Sequence, residues 1–402
     1  MKKVPWILCG IVFILLATLD PVFCQPSLKV GTLIPFAGRW GDSGRECAQG
    51  MLDAGKWING QGGVFGRRLE VQIIEDTSHA AELLAAYRKL KESDHVSLLH
   101  IYSTETALLL LSHIQFNRTP TLVGTLPAHL TAPAKYPFLF SIIPTPLDLS
   151  RIVITYIAER SDIKARKPKV IFVGSPEYID RHFLEEVKAY AYASGLDVGP
   201  DISLSEFAQD KTAPSAAQTG PTSPAFLPTI KRYNPDFVYL SLTSGEAVRV
   251  LQEVKDLGLK TKWIGNMRAF DEHLLPFEGV LGIQPLAPFG EDLPGMVEIK
   301  EVHQRWHPYD THTLSYTEGW ATVQVMAETL RRSLPEERLS GDNVKGCLES
   351  FRNYVLGGLI PPITITAQDH RPSAEARIFM VKQNKLIPQT TFLSVGKEGK
   401  LQ

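Results

Sequence analysis

The sequence has few cysteines, no excess charge and few long hydrophobic stretches, and each shortage excludes a class of protein. Only four of its 402 residues are cysteine, so disulfides cannot be the main source of its stability. Lys and Arg number 42 against 43 for Asp and Glu, which leaves no positive excess for binding a phosphate backbone. Hydrophobic residues make up 44%, a fraction that is ordinary for a globular protein and too high for a disordered one. We therefore expect a globular protein without a nucleic-acid partner.

Several motifs that would mark an enzyme or a metal site are also missing. There is no C-x-x-C pair, no H-E-x-x-H and no G-x-S-x-G turn. Gly38, Gly41 and Gly44 are spaced G-x-x-G-x-x-G, whereas a dinucleotide site has G-x-G-x-x-G. Cys47 and Cys347 lie far apart in the chain, and the sequence leaves open whether they are bonded. We expect no enzymatic activity, no metal and no cofactor.

The first 24 residues have the pattern of a secretory signal peptide. Two lysines precede an apolar run at residues 4–19, which is shorter than the roughly 20 residues of a membrane span. A membrane anchor is the alternative interpretation. Cleavage before Gln25 is favoured over lipid modification of Cys24, because Phe23 is bulkier than the residue that usually precedes a lipidated cysteine. We predict that residues 1–24 are removed and that the protein is periplasmic.

Patterns of buried strands alternate with amphipathic helices along most of the chain. The predicted strands are residues 28–34, 69–74, 96–101, 121–123, 170–173, 237–242 and 263–265. Strands of nearly continuous apolar residues lie in parallel sheets that helices cover on both faces. Because 402 residues exceed the usual size of one core, the sequence predicts an α/β protein with two lobes.

Two stretches lack this pattern. Residues 208–225 are rich in Ala, Ser, Thr and Pro and predict a surface loop. Residues 384–402 predict a peripheral tail at the end of the chain.

The loops that follow the predicted strands are the expected place for a ligand. In open parallel sheets the binding crevice lies beyond the carboxyl ends of the strands. The loops are residues 36–44, 102–105, 124–126, 175–180, 241–246 and 265–270.

Five segments together carry a family resemblance. They are INGQGGVFGRRL at residues 58–69, VIFVGSPEYIDR at 170–181, NPDFVYLSL at 234–242, GLKTKWIGN at 258–266 and ITITAQDHR at 363–371. The chain resembles the type I periplasmic solute-binding proteins of the leucine/isoleucine/valine-binding group of ABC importers, and the segments follow the order found in that family.

The resemblance implies an architecture and a function. The fold would be two Rossmann-like lobes with parallel sheets, joined by a three-crossing hinge. The first lobe would take residues 27–146 and 286–358, and the second lobe residues 147–285 and 359–402. A small solute held in the cleft by hinge closure would pass to an ABC permease in the inner membrane, and we expect the protein to act as a monomer.

The resemblance also implies a set of binding residues from both lobes. In the family the first lobe holds the ligand carboxylate with hydroxyls and backbone N–H groups, beside an aromatic wall. The matching residues here are Trp40, Ser103, Thr104, Gly124, Thr125 and Leu126. The second lobe would contribute a tyrosine, a loop contact and the segment after its last predicted strand. These residues are Tyr178, Ser241, Thr243, Met267 and Arg268.

That last segment departs from the family pattern. Relatives have an acid there that pairs with the ligand's ammonium, whereas this chain has Asn266, Met267 and Arg268. An α-amino acid would lack an anionic partner unless Glu246 or Asp271 moves in. Arg268 favours an anionic ligand because its planar guanidinium matches a carboxylate; a solvated Arg268 on the surface is the alternative.

The sequence therefore predicts a solute-binding protein for a small polar or anionic organic molecule, amino-acid-like or a carboxylate. A ligand-sensing module of a membrane receptor system is the alternative function. The two share a fold and a pocket, so the sequence does not separate them.

Overall fold

The computed structural model describes most of the chain after residue 25. It describes residues 26–402 except 78, 161–162, 164–165, 175–180, 205–225, 335–338 and 397–398. The predicted signal peptide and the whole predicted loop at 208–225 lie outside this range. Within it, none of the helices combines the length and the hydrophobicity that a membrane crossing requires.

The first sheet has five parallel strands in the order β2-β1-β3-β4-β5. They are β1 (Leu28–Ile34), β2 (Leu69–Glu75), β3 (Leu98–Ile101), β4 (Thr121–Val123) and β5 (Leu139–Phe140). The helices between them are α1 (Gly41–Gly60), α2 (Ala80–Arg88), α3 (Thr104–Leu109) and α4 (Leu111–Phe116). Consecutive residues of β1 such as Leu33 and Ile34 are fully buried, because helices cover both faces of the sheet.

The second sheet has the order β13-β12-β11-β10-β9-β6-β7, with β8 also paired to β6. Its parallel strands are β6 (Lys169–Gly174), β7 (Asp197–Val198), β8 (Ile202–Ser203), β9 (Phe237–Ser241), β10 (Lys262–Gly265) and β11 (Leu281–Gln284). Helices α5 (Pro146–Arg160), α6 (Arg181–Ala193), α7 (Leu227–Tyr233) and α8 (Ser244–Val254) connect them. Strands β12 (Arg377–Lys382) and β13 (Lys385–Pro388) complete the sheet in antiparallel orientation.

Three helices lie between β11 and β12 in the chain. They are α9 (Met296–Trp306), α10 (Leu314–Ser333) and α11 (Gly341–Leu348), and α10 packs on α1 of the first sheet. Glycines allow the two backbones to touch: a Cβ on Gly50 would lie 2.1 Å from the Tyr316 carbonyl oxygen, and one on Gly319 2.0 Å from that of Cys47.

The chain thus leaves the first sheet after β5, returns after β11 and joins the second sheet again at β12. The predicted two-lobed α/β fold with parallel sheets is confirmed. The residue boundaries of the lobes stay a prediction. Cys47 and Cys347 are both free thiols in this structure.

The expectation of a peripheral tail after residue 384 is wrong. Strand β13 pairs with β12 across a tight turn, and Leu386 and Leu393 are buried. The turn residues Gln383 and Asn384 both have positive φ angles, 52° and 57°, as a two-residue hairpin turn requires.

Candidate functional site

A cavity of about 530 Å³ lies between the two lobes. It opens where loops follow β1, β3 and β4 of the first sheet and β9 and β10 of the second. A third side is formed by the segment that crosses from β5 to the second lobe, which includes Pro144, and by the start of α5. Helix α6 contributes Phe183. The cavity therefore sits at the carboxyl ends of parallel strands, as expected for this type of sheet.

Most of the cavity wall is apolar. Pro144, Leu147 and Leu149 come from the crossing and α5, Tyr239 from β9, and Met267 from the loop after β10. These five residues are buried. A wall of this composition suits the hydrocarbon or aromatic body of a small molecule.

Seven of the predicted site residues line this cavity: Trp40, Ser103, Thr104, Thr125, Ser241, Met267 and Arg268. Their contact with a ligand stays a prediction. Tyr178 lies outside the described residues. The aromatic ring of Trp40 meets that of Tyr102 edge-on, with centroids 6.4 Å apart, and Trp40 both lines the cavity and packs against the hydrophobic core.

A chain of hydrogen bonds fixes the loop after β3. The Ser103 hydroxyl accepts from the backbone N–H of Thr106 at 3.1 Å and donates to the Thr106 hydroxyl at 2.9 Å. The Thr106 hydroxyl in turn donates to the buried carboxylate of Asp76 at 2.5 Å. Thr104 donates to the Thr125 carbonyl. These bonds hold the polar side chains of the first lobe in fixed positions around the cavity.

Three predicted site residues lie off the cavity wall. Leu126 is 1% exposed and belongs to the core of the first lobe. Thr243 caps α8: its hydroxyl accepts from the Glu246 N–H at 3.4 Å, and the Glu246 carboxylate accepts from the Thr243 N–H at 2.9 Å. Gly124 contributes only its carbonyl oxygen, which accepts from Arg268 at 3.3 Å. Sequence position alone cannot separate such structural residues from their neighbours at the wall.

Arg268 reaches from the second lobe to a buried acid of the first. Its Nη1 and Nη2 lie 2.8 and 3.0 Å from the two carboxylate oxygens of Glu318 on α10. The side chains are only 8% and 2% exposed. The guanidinium also donates to the Tyr102 hydroxyl at 3.2 Å and to the Thr125 hydroxyl at 3.0 Å.

This ion pair changes what Arg268 can offer a ligand. The sequence predicts that Arg268 either attracts an anionic ligand as a free cation or lies solvated on the surface. Arg268 does neither, because it is buried and Glu318 neutralises its charge. Sequence reasoning missed Glu318. The signal was present, since an acid within the continuously buried start of α10 requires a charged partner.

The groups around the ion pair are uncharged at neutral pH. Burial raises the pKa of the Tyr102 hydroxyl above its usual range. Burial, together with the Glu318 carboxylate, raises the pKa of the Cys47 thiol. Burial, helped by the Arg268 charge, lowers the pKa of His100 to about 3, and its Nδ1 lies 2.7 Å from the Thr32 hydroxyl. Arg268 and Glu318 therefore face each other as charges among neutral neighbours.

The chain matches the family described as periplasmic binding protein over residues 27–385. No curated protein matches it in sequence. Among solved structures, it is similar to a branched-chain amino acid ABC transporter protein from Thermus thermophilus with bound valine. The two share 20% identity over 92% of this chain and 97% of that one, with a TM-score of 0.78.

Two other similar structures hold aromatic acids. A solute-binding protein from R. palustris in complex with benzoate is 17% identical over 90% of this chain and 95% of its own, with a TM-score of 0.71. One from Rhodopseudomonas palustris BisB5 with 3,4-dihydroxybenzoic acid is 17% identical over 92% and 98%, with a TM-score of 0.72. Since the family match spans nearly all of the described residues, the chain belongs to the periplasmic binding protein family, whose members bind solutes for ABC transporters and are not enzymes.

Proposed function

We propose that this protein captures a small organic acid with an apolar or aromatic body and without an ammonium group. It does so in the periplasm, after removal of residues 1–24, as a monomer that binds no nucleic acid. The loaded protein delivers the acid to an ABC permease in the inner membrane. The observation that carries the choice of ligand is the apolar cavity whose buried lining cation, Arg268, is already paired with Glu318.

The shape and lining of the cavity support an apolar body. A volume of about 530 Å³ is within the usual range for a small-molecule site. Walls of proline, leucine, methionine and tyrosine gain free energy by covering hydrocarbon, at about 25 cal/mol for each Å² removed from water. Two structural neighbours hold benzoate and a dihydroxybenzoic acid, whose bodies would suit such walls.

The charges of the site argue against an amino acid. Among the described lining residues the acids are Glu105 and Glu186, which are both exposed at the rim. Glu318 is already paired with Arg268. An ammonium group inside the cavity would therefore lack a buried anion of its own, at a cost of several kcal/mol.

A carboxylate is easier to accommodate in the same cavity. The hydroxyls of Ser241 and Thr125 line the wall, and each can donate to a carboxylate oxygen. The Thr125 hydroxyl accepts from Arg268, so its own hydrogen is available for a second partner.

We infer that the two lobes close around the solute when it binds. Lining residues come from both lobes, so a solute contacts all of them only when the lobes are together. Those additional contacts shift the population toward the closed form.

The test uses pairs of ligands that differ only in the ammonium group. We expect 4-methylpentanoate and 3-phenylpropanoate to raise the melting temperature. Leucine and phenylalanine should bind about 100-fold more weakly, since an unpaired ammonium costs about 3 kcal/mol or more. Isothermal titration calorimetry measures both members of each pair. Leucine binding as tightly as 4-methylpentanoate would refute the proposed ligand class.

Two neighbouring leucines on α3 provide a matched control for the place of binding. Leu108 lines the cavity and is 46% exposed, whereas Leu109 is 53% exposed and does not line it. Leu108→Asp places a carboxylate at the cavity wall and should weaken acid binding about tenfold or more by charge repulsion. Leu109→Asp should leave the affinity unchanged. Equal effects of the two substitutions would show that the acid binds elsewhere.

A further inference from the structure

Two contacts between the lobes converge on helix α10. Arg268 and Glu272, which follow β10 in the second lobe, both reach α10 of the first lobe. Arg268 pairs with Glu318, and the Glu272 carboxylate accepts from the backbone N–H of Leu314 at 2.8 Å. Leu314 and Glu318 are four residues apart and lie on the same face of the helix. We call these two contacts the α10 clasp.

The ionic half of the clasp is a buried and well-satisfied pair. Both carboxylate oxygens of Glu318 accept from the guanidinium, which is the bidentate geometry of a strong ion pair. Tyr102 and Thr125 accept further N–H groups of Arg268. All the acceptors belong to the first lobe, whereas the donor belongs to the second. Separating the lobes therefore breaks the whole set of bonds at once.

The second half of the clasp uses the start of a long helix. The first N–H groups of a helix have no partner within it, and they carry a partial positive charge. Leu314 is the first residue of the 20-residue helix α10, and the N-cap residue Thr313 makes no capping hydrogen bond with its side chain. Glu272 from the other lobe supplies an acceptor in its place.

Both contacts of the α10 clasp are direct bonds between protein groups. We propose that the α10 clasp holds the lobes together without ligand, and that Glu318 and Glu272 are positioning residues for closure. The clasp raises the closed fraction of the ligand-free protein. Since the apparent dissociation constant is the intrinsic constant divided by the competent fraction, loss of the clasp weakens binding even where the cavity wall is unchanged.

The experiment measures the ligand-free protein by small-angle X-ray scattering, after unfolding and refolding to strip any bound solute. We expect the wild type to have the radius of gyration of a closed form, and Glu318→Gln to have a larger one. Glu328→Gln is the matched control. It makes the same change on the same helix, but Glu328 pairs with Arg331 and Arg332 of α10 itself, so the radius should stay at the wild-type value.

A double-variant cycle separates a clasp from general loss of structure. Arg268→Gln should open the protein as Glu318→Gln does. The double variant should open it no further, because both changes remove one shared contact. Arg268→Lys keeps a charge for Glu318 and should restore part of the closure, which a merely structural role would not predict.

The measurement is independent of the ligand and so stands apart from the proposed function. A wild type as open as Glu318→Gln, or a Glu328→Gln protein that opens as far, would overturn the proposal.

Discussion

Replacing Glu272 by glutamine is expected to change how the stability of the protein depends on pH. Burial raises the pKa of the Glu272 carboxyl to about 8, although the Leu314 N–H favours the charged form. One of its oxygens, Oε1, is enclosed and has no hydrogen-bond partner among the described residues. Folding therefore binds a proton that the unfolded chain releases above the ordinary carboxyl pKa of about 4.3.

The sign and the size of the effect follow from this difference. A carboxyl with a raised pKa contributes its stability fully below about pH 4.3, and that contribution is lost as the pH rises toward 8. Between about pH 4.3 and pH 8 this contribution to the free energy of unfolding falls by about 1.4 kcal/mol for each pH unit. Between pH 5.5 and pH 7 the wild type should therefore lose about 2 kcal/mol relative to Glu272→Gln, which binds no proton at this site.

The comparison of two proteins is needed because other groups titrate in the same window. Burial lowers the pKa of His100 to about 3, which makes stability rise with pH below about 6.5 and opposes the Glu272 effect. Hydrogen bonding to Asp271 raises the pKa of His273 to about 9, so its contribution is lost only as the pH rises above about 6.5. The His100 contribution cancels when the variant is subtracted from the wild type. The His273 contribution cancels only in part, because the Glu272 charge itself helps to raise the pKa of His273, and its change with pH is smallest below about pH 6.5.

The assay is urea unfolding at four pH values between 5.5 and 7. Glu301→Gln is the control, because it removes one glutamate at an exposed position on α9. Its free energy of unfolding should follow that of the wild type at every pH. A difference between wild type and Glu272→Gln that stays constant across the range would refute the reasoning.

Two further predictions concern packing. Gly319→Ala should lower stability by about 1–3 kcal/mol or more, because its Cβ would meet the Cys47 carbonyl oxygen at 2.0 Å and force α1 and α10 apart. On α11, by contrast, a Cβ at Gly346 would meet no other atom of the described residues, so Gly346→Ala should stabilise the protein by about 0.5–1 kcal/mol through the higher helix propensity of alanine. Thermal unfolding of the two variants tests whether the effect of adding a Cβ depends on the space around each glycine. Leu126→Ala should lower the free energy of unfolding, measured in urea, by about 2–5 kcal/mol. Ligand affinity measured by calorimetry should stay unchanged; a large loss of affinity would show that Leu126 contacts the ligand.

The fold could be predicted from the sequence because hydrophobic periodicity reports burial directly. Cys47, Met51, Ala54 and Ile58 are spaced as one face of a helix, and all four are buried in α1. The strand predicted at residues 28–34 is β1 with the same bounds. The final hairpin was missed because its strands are short and its turn is Gln-Asn, without the glycine that usually marks such turns.

The candidate site was only partly predictable. Loop position identified Thr125 and Ser241, because the carboxyl ends of parallel strands converge in any fold of this type. The same reasoning could not separate Thr125 from Leu126, although adjacent residues after a strand point to different sides. The pairing of Arg268 with Glu318 joins two lobes, so no local pattern contains it and only the tertiary structure brings the two charges together.

The contact of α1 with α10 also bears on how the protein is made. The two helices come from opposite ends of the chain. Helix α1 can pack on the nearby strand β2 early, but its contact with α10 waits until the ribosome has finished most of the sequence. Contacts between such distant segments form slowly. The growing chain therefore lacks a finished first lobe during most of its synthesis.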